Sequence, residues 1–258
     1  MVRFRDGLIR VGLVASLLLP VYFLIAALGT KFHMLEWRFG FGVLVLAGGA
    51  LLLLIVFVLA LLGLILAFVV KPRRGWRSAL VALIVPVLGL GFAGSVIASA
   101  RSIPPIHDIS TDIQDPPTFS PAVVAARAAI TGGNAVVPLT TPGPGGRSVG
   151  EIGRTANPDL TTLQVAMAVP QATQAAATAA RSLGWRDVVV DPATGRVEAV
   201  VESFWFGFRD DIVVRIRPGA TPTSSVIDVR STSRVGMGDL GANAKRVRAF
   251  LAAMRAAH

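Results

Sequence analysis

Residues 39–70 read FGFGVLVLAGGALLLLIVFVLALLGLILAFVV, and this run without a charged side chain decides the class of the amino-terminal part of the chain. As one α-helix the run would be about 48 Å long, because each residue adds about 1.5 Å. It would cross the roughly 30 Å hydrocarbon core of a bilayer once, with tilt or protruding ends. Two short spans hinged at Gly48-Gly49 are disfavoured, since each half is barely long enough and the hinge has no polar partner. The run therefore predicts one membrane-spanning helix.

Two more apolar segments, at about residues 8–28 and 78–100, predict a span before and a span after this helix. Residues 1–100 are therefore interpreted as a transmembrane region of three helices, with the lipid bilayer as a partner, and residues 101–258 as an external domain. Segment 8–28 has an alternative interpretation as a cleaved signal peptide. Its apolar run is long for such a signal and lacks a clear small-residue cleavage site, which favours an uncleaved anchor.

The basic residues of the membrane region form two clusters that predict its orientation, because loops rich in lysine and arginine stay in the cytoplasm. One cluster precedes the first span, and the other separates the second span from the third: Arg3, Arg5 and Arg10; Lys71, Arg73, Arg74 and Arg77. The connection 29–38 is weakly charged, as expected for the external side. In a bacterium this pattern predicts a multi-pass protein of the inner (plasma) membrane, with a cytoplasmic amino terminus and a periplasmic C-terminal domain.

The distribution of charge argues against nucleic-acid binding, although the net charge of the chain is +10. Residues 1–100 contain 9 Lys+Arg and 2 Asp+Glu, a net charge of +7. Residues 101–258 contain 16 Lys+Arg and 13 Asp+Glu, a net charge of +3. The domain thus lacks the clustered positive charge that a phosphate-tracking surface needs. The chain has no cysteine, which excludes disulfides, thiolate catalysis and cysteine-based metal sites.

The pattern of residues 101–258 predicts an α+β domain, an antiparallel sheet with packed helices. The proline-rich stretch 101–117 is expected to lie extended on this domain. Strands are predicted at 163–169, 187–191, 196–206, 212–217 and 226–233, helices at 121–130, 171–183 and 240–256, and a loop at 131–150.

Five stretches of the domain, in this order, resemble one protein family. They are Ile103-Pro-Pro-Ile-His-Asp-Ile-Ser-Thr-Asp112, Asp115-Pro-Pro117, Trp205-Phe-Gly-Phe-Arg-Asp-Asp-Ile-Val-Val-Arg215, Asp228-Val-Arg-Ser-Thr-Ser-Arg-Val-Gly236 and Asp239-Leu-Gly-Ala-Asn-Ala-Lys-Arg246. The family is the bacterial and plastid domain of unknown function 1499, and the resemblance extends over about residues 103–251. It implies a domain often found attached to bacterial membranes, and no catalytic mechanism comes with it. One departure is Asn157-Pro-Asp159, where an aromatic residue is expected before Pro-Asp.

The stretch Gly236-Met-Gly-Asp-Leu-Gly241 matches the glycine pattern of a dinucleotide-binding turn. No second strand follows the helix at 240–256 to complete a βαβ unit, and Asp239 stands where a phosphate would bind. The favoured interpretation is a turn in which Asp239 caps the last helix.

His107, Asp108 and Asp112, with Asp115 next to them, form a candidate metal or acid–base cluster, which Asp210 and Asp211 could join. The other two histidines of the chain are His33 and His258. A serine–histidine mechanism would have to use His107, and the sequence contains no nucleophile elbow. The favoured interpretation is that these side chains hydrogen-bond the backbone of the extended segment and hold it in place.

A candidate ligand site for anions combines side chains of the strand at 226–233 with its neighbours in the preceding hairpin and the last helix. They are Trp205, Arg209, Arg230, Ser231, Arg234, Asn243 and Arg246. Guanidinium groups near a helix N-terminus favour a phosphate or carboxylate ligand. The alternative, which is favoured, is that the arginines make structural ion pairs with Asp228 and Asp239.

Two functions follow from these candidates. The favoured one is a non-catalytic protein of the cell envelope whose external domain binds a protein partner or an anionic small molecule, such as a lipid headgroup. The alternative is a membrane-bound hydrolase or transferase that uses Asp108, Asp112, Asp210 or Asp211 as acid, base or metal ligand. The enzyme requires these carboxylates and His107 to converge on one cleft. The sequence identifies no cofactor.

Overall fold

The computed structural model describes residues 1–257 of the chain, and His258 lies outside the described residues. The chain forms two compact units. The first unit contains residues 1–99 and 204–207, and the second contains residues 100–203 and the chain from Phe208 onward.

The first unit is built on three long helices. They are α1 (Val2–Lys31), a second helix that begins as a π-helical segment (Arg38–Gly49) and continues as α2 (Ala50–Val69), and α3 (Trp76–Ser102). Each is long and apolar enough, by length and composition, to cross a membrane. The chain passes Gly48-Gly49 without turning back, so the prediction of one long helix in this segment is confirmed.

Polar contacts tie the start of α1 to the connection between α2 and α3. The buried Arg5 guanidinium donates from Nη1 to the carbonyl oxygens of Val70 (2.9 Å) and Pro72 (2.6 Å). Asp6 accepts a hydrogen bond from Arg74 at 2.9 Å. The two basic clusters therefore lie at the same end of the helices. This is the arrangement expected if each of the first two helices crosses the membrane once.

The second unit is a six-stranded antiparallel sheet with packed helices, so the predicted α+β class is confirmed. The strands are β1 (Asp108–Ser110), β2 (Leu163–Val165), β3 (Arg186–Asp191), β4 (Arg196–Glu202), β5 (Arg209–Pro218) and β6 (Ser225–Ser233). The helices are α4 (Pro121–Ala128), α5 (Val149–Ala156), α6 (Val169–Ser182) and α7 (Ala242–Ala256), with a 3-10 turn at Pro144–Gly146. The strand order is β1-β6-β5-β4-β3, and β2 pairs with the start of β6.

One face of the sheet is apolar and packs on α6 and α7. Ile212, Val214 and Ile216 alternate along β5 and belong to the same buried cluster as Val247 and Phe250 of α7. Successive side chains of a strand point to opposite faces, so this alternation follows directly from the sequence. Burial of this apolar surface, at about 25 cal/mol per Å², is the main favourable contribution to holding the layers together.

The opposite face of the sheet is charged, and residues 111–137, the crossing segment, cover it. Asp211, Arg215 and Arg217 lie on this charged face of β5, and Asp228 and Arg230 lie beside them on β6. Charged groups away from water need partners, and the crossing segment supplies them. Asp112, Asp211 and Arg230 of the candidate sites therefore lie at an interface between the sheet and its own chain.

Two predicted boundaries near α5 and α6 are wrong. The predicted loop at 131–150 is too long, because α5 begins inside it at Val149 behind a capping box formed by Ser148 and Glu151. The predicted strand at 163–169 is too long as well. Val169 begins α6, because Pro170 fits the first helical turn, where its missing N–H is not needed.

Two further boundaries are wrong at the other end of the sheet. β4 ends at Glu202 rather than at residue 206, because the Ser203 N–H donates to the Phe208 carbonyl and closes a loop. α7 begins at Ala242 rather than at Leu240. Leu240 and Gly241 have φ angles of +52° and +81°, which a right-handed helix does not contain.

Candidate binding site

The three residues considered as metal ligands are close in sequence but have different partners. Asp108 makes a two-bond ion pair with Arg230 (Oδ1–Nε 3.0 Å, Oδ2–Nη2 2.7 Å), and both side chains are buried. Asp112 accepts two backbone N–H bonds from the turn that follows it and pairs with Arg215 at 3.3 Å. The carbonyl oxygen of His107 accepts a bond from the Ser233 N–H. Within residues 1–257, no group of three or more histidine, aspartate or glutamate side chains is placed to hold a metal ion.

Asp211 lies between two arginines under the crossing segment. Arg127 of α4 approaches Oδ2 to 2.7 Å with Nη1, and Arg234 approaches the carboxylate with Nε (2.9 Å) and Nη2 (2.6 Å). The Arg127 and Asp211 side chains are each only 1% exposed. Arg127 also donates to the carbonyl oxygens of Asn134, Thr232 and Ser233. This buried network fixes α4 to the charged face.

Three of the residues considered as anion ligands meet on the apolar side of β6. The Ser231 hydroxyl donates to Asn243 Oδ1 at 2.6 Å, and Arg246 Nη1 donates to the Ser231 oxygen at 3.0 Å. Arg246 Nη2 lies 2.7 Å from Asp210 Oδ2. A carboxylate of the domain itself thus occupies the position that a bound anion would take.

The remaining candidate anion ligands are dispersed over the domain. Arg230 is paired with Asp108 and Arg234 with Asp211, and Arg209 lies 3.3 Å from Glu202. Trp205 is exposed in the loop between β4 and β5. The arginines make structural ion pairs with Asp108, Asp210, Asp211 and Glu202. The sequence predicted Asp228 and Asp239 as their partners, and these two carboxylates bind elsewhere.

Asp239 caps α7 at the glycine-rich turn. Its Oδ1 accepts the Gly241 N–H at 2.8 Å, and its Oδ2 accepts the Asn243 N–H at 2.9 Å. The N–H groups that a phosphate would use are therefore occupied by an aspartate. The favoured interpretation of the glycine pattern as a capped turn agrees with this geometry.

A pocket of about 410 Å³ opens beside the charged face, where the crossing segment begins. Its lining consists of Thr111, Asp112, Ile113, Gln114, Arg154, Thr161 and Thr162. The Thr161 hydroxyl, the Gln114 amide and the Arg154 guanidinium group provide hydrogen-bond donors, whereas the hydroxyls of Thr111 and Thr162 donate to Asp228. The pocket is therefore suited to a polar ligand with several acceptor oxygens.

Arg154 on α5 is the cation of this pocket. Gly150 lets α5 approach the crossing segment closely, since a Cβ there would lie 3.3 Å from Ile113. Arg154 Nη2 donates to the carbonyl oxygen of Thr111 at 2.6 Å. Its Nε is buried without a hydrogen-bond partner, and no carboxylate of the described residues forms an ion pair with it. Arg154 thus lines the pocket without a carboxylate partner among the described residues.

The carboxylates next to the pocket are neutralised by arginines of β5. The fully buried Asp228 accepts bonds from Arg217 (2.6 Å) and Arg215 (3.1 Å), and its other oxygen accepts the Thr162 hydroxyl at 2.6 Å. Asp112 shares the same two arginines, at 3.3 and 3.5 Å. Asp228 therefore holds Thr162 in place at the pocket. Both carboxylates, Asp112 and Asp228, are paired with arginines of β5.

Sequence reasoning missed Arg154 and this pocket. A local signal for α5 was present, because Ser148-Val-Gly-Glu151 has the spacing of a capping box. That signal would have placed Arg154 on a short helix. Its position beside Thr111 depends on the path of the chain between β1 and α5, which no local pattern supplies.

The fold and these contacts define a class of protein. It is an α+β domain with buried arginine–aspartate pairs, preceded by three helices that are long and apolar enough to cross a membrane. The chain belongs to the family described as protein of unknown function (DUF1499), whose model matches residues 108–254. The match runs from β1 into α7 and leaves the three long helices outside. No curated protein matches the chain.

Proposed function

We propose that the chain is a non-catalytic, multi-pass protein of the bacterial inner (plasma) membrane whose C-terminal domain binds a small anionic molecule in the periplasm. The observation that carries this proposal is Arg154, a cation without a carboxylate partner among the described residues that lines a pocket rich in hydroxyl groups. A charge-assisted hydrogen bond to a phosphate or carboxylate is about twice as strong as a neutral one. The Thr161 hydroxyl and the Gln114 amide supply further donors for the oxygens of such a ligand.

The carboxylates that an enzyme would need support a non-catalytic role. Asp108, Asp112, Asp210 and Asp211 are each paired with an arginine, and they lie in three separate networks and at the pocket rim. A general base must reach a substrate proton and be free to accept it. The hydrolase or transferase alternative is therefore less well supported than ligand binding.

The proposed orientation is supported by the two basic clusters at one end of the helices. Such clusters remain on the cytoplasmic side of a bacterial membrane. Because the second and third helices each cross once, the chain after α3 emerges on the opposite side, which is the periplasm. The pocket would then sample periplasmic solutes.

The test of ligand binding is native mass spectrometry of the intact protein released in mild detergent. Three forms are compared: the wild type, Arg154→Ala and Arg147→Ala. Arg147 is a matched control, because it is an exposed arginine just before α5 that does not line the pocket. We expect a small anionic species in about one copy per chain on the wild type and on Arg147→Ala, and little or none on Arg154→Ala.

Two outcomes would contradict the proposal. If Arg154→Ala retains the species as well as the wild type, the ligand binds outside this pocket. If the wild type is isolated without a small molecule, and added inorganic phosphate and acetate do not bind to it either, the domain acts through protein contacts.

A further inference from the structure

The strand register places four connections at one end of the sheet. β1 and β5 begin there, and β4 and β6 end there, because Asp108 pairs with Thr232 and Asp210 pairs with Ser233. The connections are residues 103–107, 183–185, 203–208 and 234–241. We name this the entry end, because the chain enters the domain here after α3.

Large apolar side chains are exposed in the connection that precedes α7. Met237 is 87% exposed and Leu240 is 53% exposed. Burying one such side chain contributes about 1.5–3 kcal/mol, so this loop has a strong reason to find an apolar partner.

The opposite end of the sheet has a different composition. Its two hairpin turns, residues 192–195 and 219–224, contain only glycine, alanine, proline, serine and threonine. The apolar side chains are therefore concentrated at one end of the sheet, and they are not a general property of its loops.

The backbone at Leu240 supports a role for this side chain at the surface. Its φ of +52° lies in the left-handed region, which costs roughly 1–2 kcal/mol for a residue with a Cβ. A glycine at this position would avoid that cost. The leucine is held in this conformation with half of its side chain exposed, so the strain is not offset by burial of the side chain.

The entry end lies on the side from which the chain arrives. The Asp239 N–H donates to the Ile106 carbonyl at 3.2 Å, and a Cβ on Gly238 would lie 3.2 Å from Pro105. The loop that carries Met237 thus packs on the segment that follows α3. Only residues 103–107 separate α3 from β1, a reach of roughly 20 Å at most.

Exposed cations accompany the apolar side chains. Arg186 and Arg209 are 66% and 45% exposed and share Glu202, at 3.6 and 3.3 Å, so this group is net positive. Lys245 is exposed in the first turn of α7. Apolar side chains flanked by lysine and arginine suit the boundary between lipid headgroups and acyl chains.

We infer that the entry end docks on the lipid bilayer and inserts Met237 and Leu240 into the boundary between headgroups and acyl chains. The partner is a lipid surface, because the chain reaches the domain from an apolar helix through only five residues. The inference does not depend on a ligand in the Arg154 pocket.

The test uses the full chain, which has no cysteine. Met237→Cys and Ala193→Cys each receive one nitroxide spin label, and the protein is reconstituted as one copy per nanodisc of phosphatidylethanolamine and phosphatidylglycerol. Ala193 is the control, because it lies exposed in a turn at the opposite end of the sheet. Collision of each label with lipid-soluble oxygen and with a water-soluble nickel complex is then measured by electron paramagnetic resonance.

We expect the ratio of oxygen to nickel collisions to be several-fold higher at position 237 than at position 193. Equal ratios at the two positions would overturn the inference, because the label at 237 would then lie in water. A label at 237 that is shielded from both reagents would overturn it as well, since protein and not lipid would then cover the surface. Far-ultraviolet and near-ultraviolet circular dichroism of both labelled proteins establishes that each is folded.

Discussion

Arginine–aspartate pairs join β1 to β6 and hold the crossing segment on the charged face of the sheet. The pairs Asp108–Arg230 and Asp211–Arg127 are buried at 2.7 Å, whereas Asp159–Arg248 is half exposed. The difference matters energetically. Removal of one partner of a buried pair leaves a charge without compensation, and an exposed pair contributes little.

Asp211→Ala is therefore expected to destabilise the domain by about 3–5 kcal/mol, because Arg127 would remain buried without a carboxylate. Hydrogen exchange of peptides from β5 and β6 in the full-length protein, followed by mass spectrometry, measures the loss of opening free energy. Asp159→Ala is the matched control and should cost no more than about 1 kcal/mol. Equal exchange in the two variants would show that the buried pair does not stabilise the domain.

At the scale of single residues, the sequence revealed which side chains carry charge but not which of them pair. Asp108, Asp112, Asp210 and Asp211 were all considered as possible catalytic groups or metal ligands from their residue type. Their partners are set by the register of β5 against β6 and by the path of the crossing segment. Both are long-range properties of the fold. The sequence alone therefore does not distinguish a carboxylate in a structural ion pair from a carboxylate with a catalytic or metal-binding role.

At the scale of elements, periodic segments were predicted well and short capped segments were not. The last four strands and the final helix have apolar residues at regular spacing, and the structure contains all of them. α5 has only eight residues and two glycines, so its periodicity is weak, and its one clear signal was the cap at Ser148. The overlong strand at 196–206 arose because aromatic residues favour strands by propensity, while the loop at 203–208 is closed by its own hydrogen bonds.

The cap of α5 predicts a pH dependence. The backbone N–H and the hydroxyl group of Ser148 donate to Glu151 and hold the pKa of this carboxyl below its usual value. A carboxyl whose pKa is lower in the folded state than in the unfolded chain stabilises the folded state. This stabilisation is complete at a pH above the unfolded-state pKa, about 4.3, and is lost as the pH falls through the folded-state pKa. We expect Glu151→Ala to lower the urea midpoint at pH 7, and the difference from the wild type to shrink in acid.

Near-ultraviolet circular dichroism during urea unfolding measures the difference in midpoint between Glu151→Ala and the wild type. The signal reports on the core, because the Trp185 ring stacks on the Phe250 ring there, with centroids 5.1 Å apart. Thr194→Ala is a suitable comparison, because it removes a donor to Asp191, whose pKa is also lowered but which lies in a turn away from α5. A Glu151→Ala difference that stays constant from pH 7 into acid would contradict the cap as its cause.

At the scale of the whole molecule, composition alone separated an apolar amino-terminal region from an α+β domain. The run without charge at 39–70 and the two basic clusters predicted the number of long helices, and the structure contains three that are long enough to cross a membrane. The pocket could not be predicted in this way. It is formed by residues 111–114, 154 and 161–162, which come together only through the folded path of the chain.

We propose that the C-terminal domain lies on the opposite side of the membrane from the connection at 70–75. Because the chain has no cysteine, single substitutions test this orientation directly. Ala193→Cys in the domain and Arg73→Cys in the connection are exposed to a membrane-impermeant maleimide in intact spheroplasts, and again after permeabilisation. We expect position 193 to react in intact spheroplasts and position 73 to react only after permeabilisation. The reverse pattern, with position 73 labelled first, would contradict the proposed orientation.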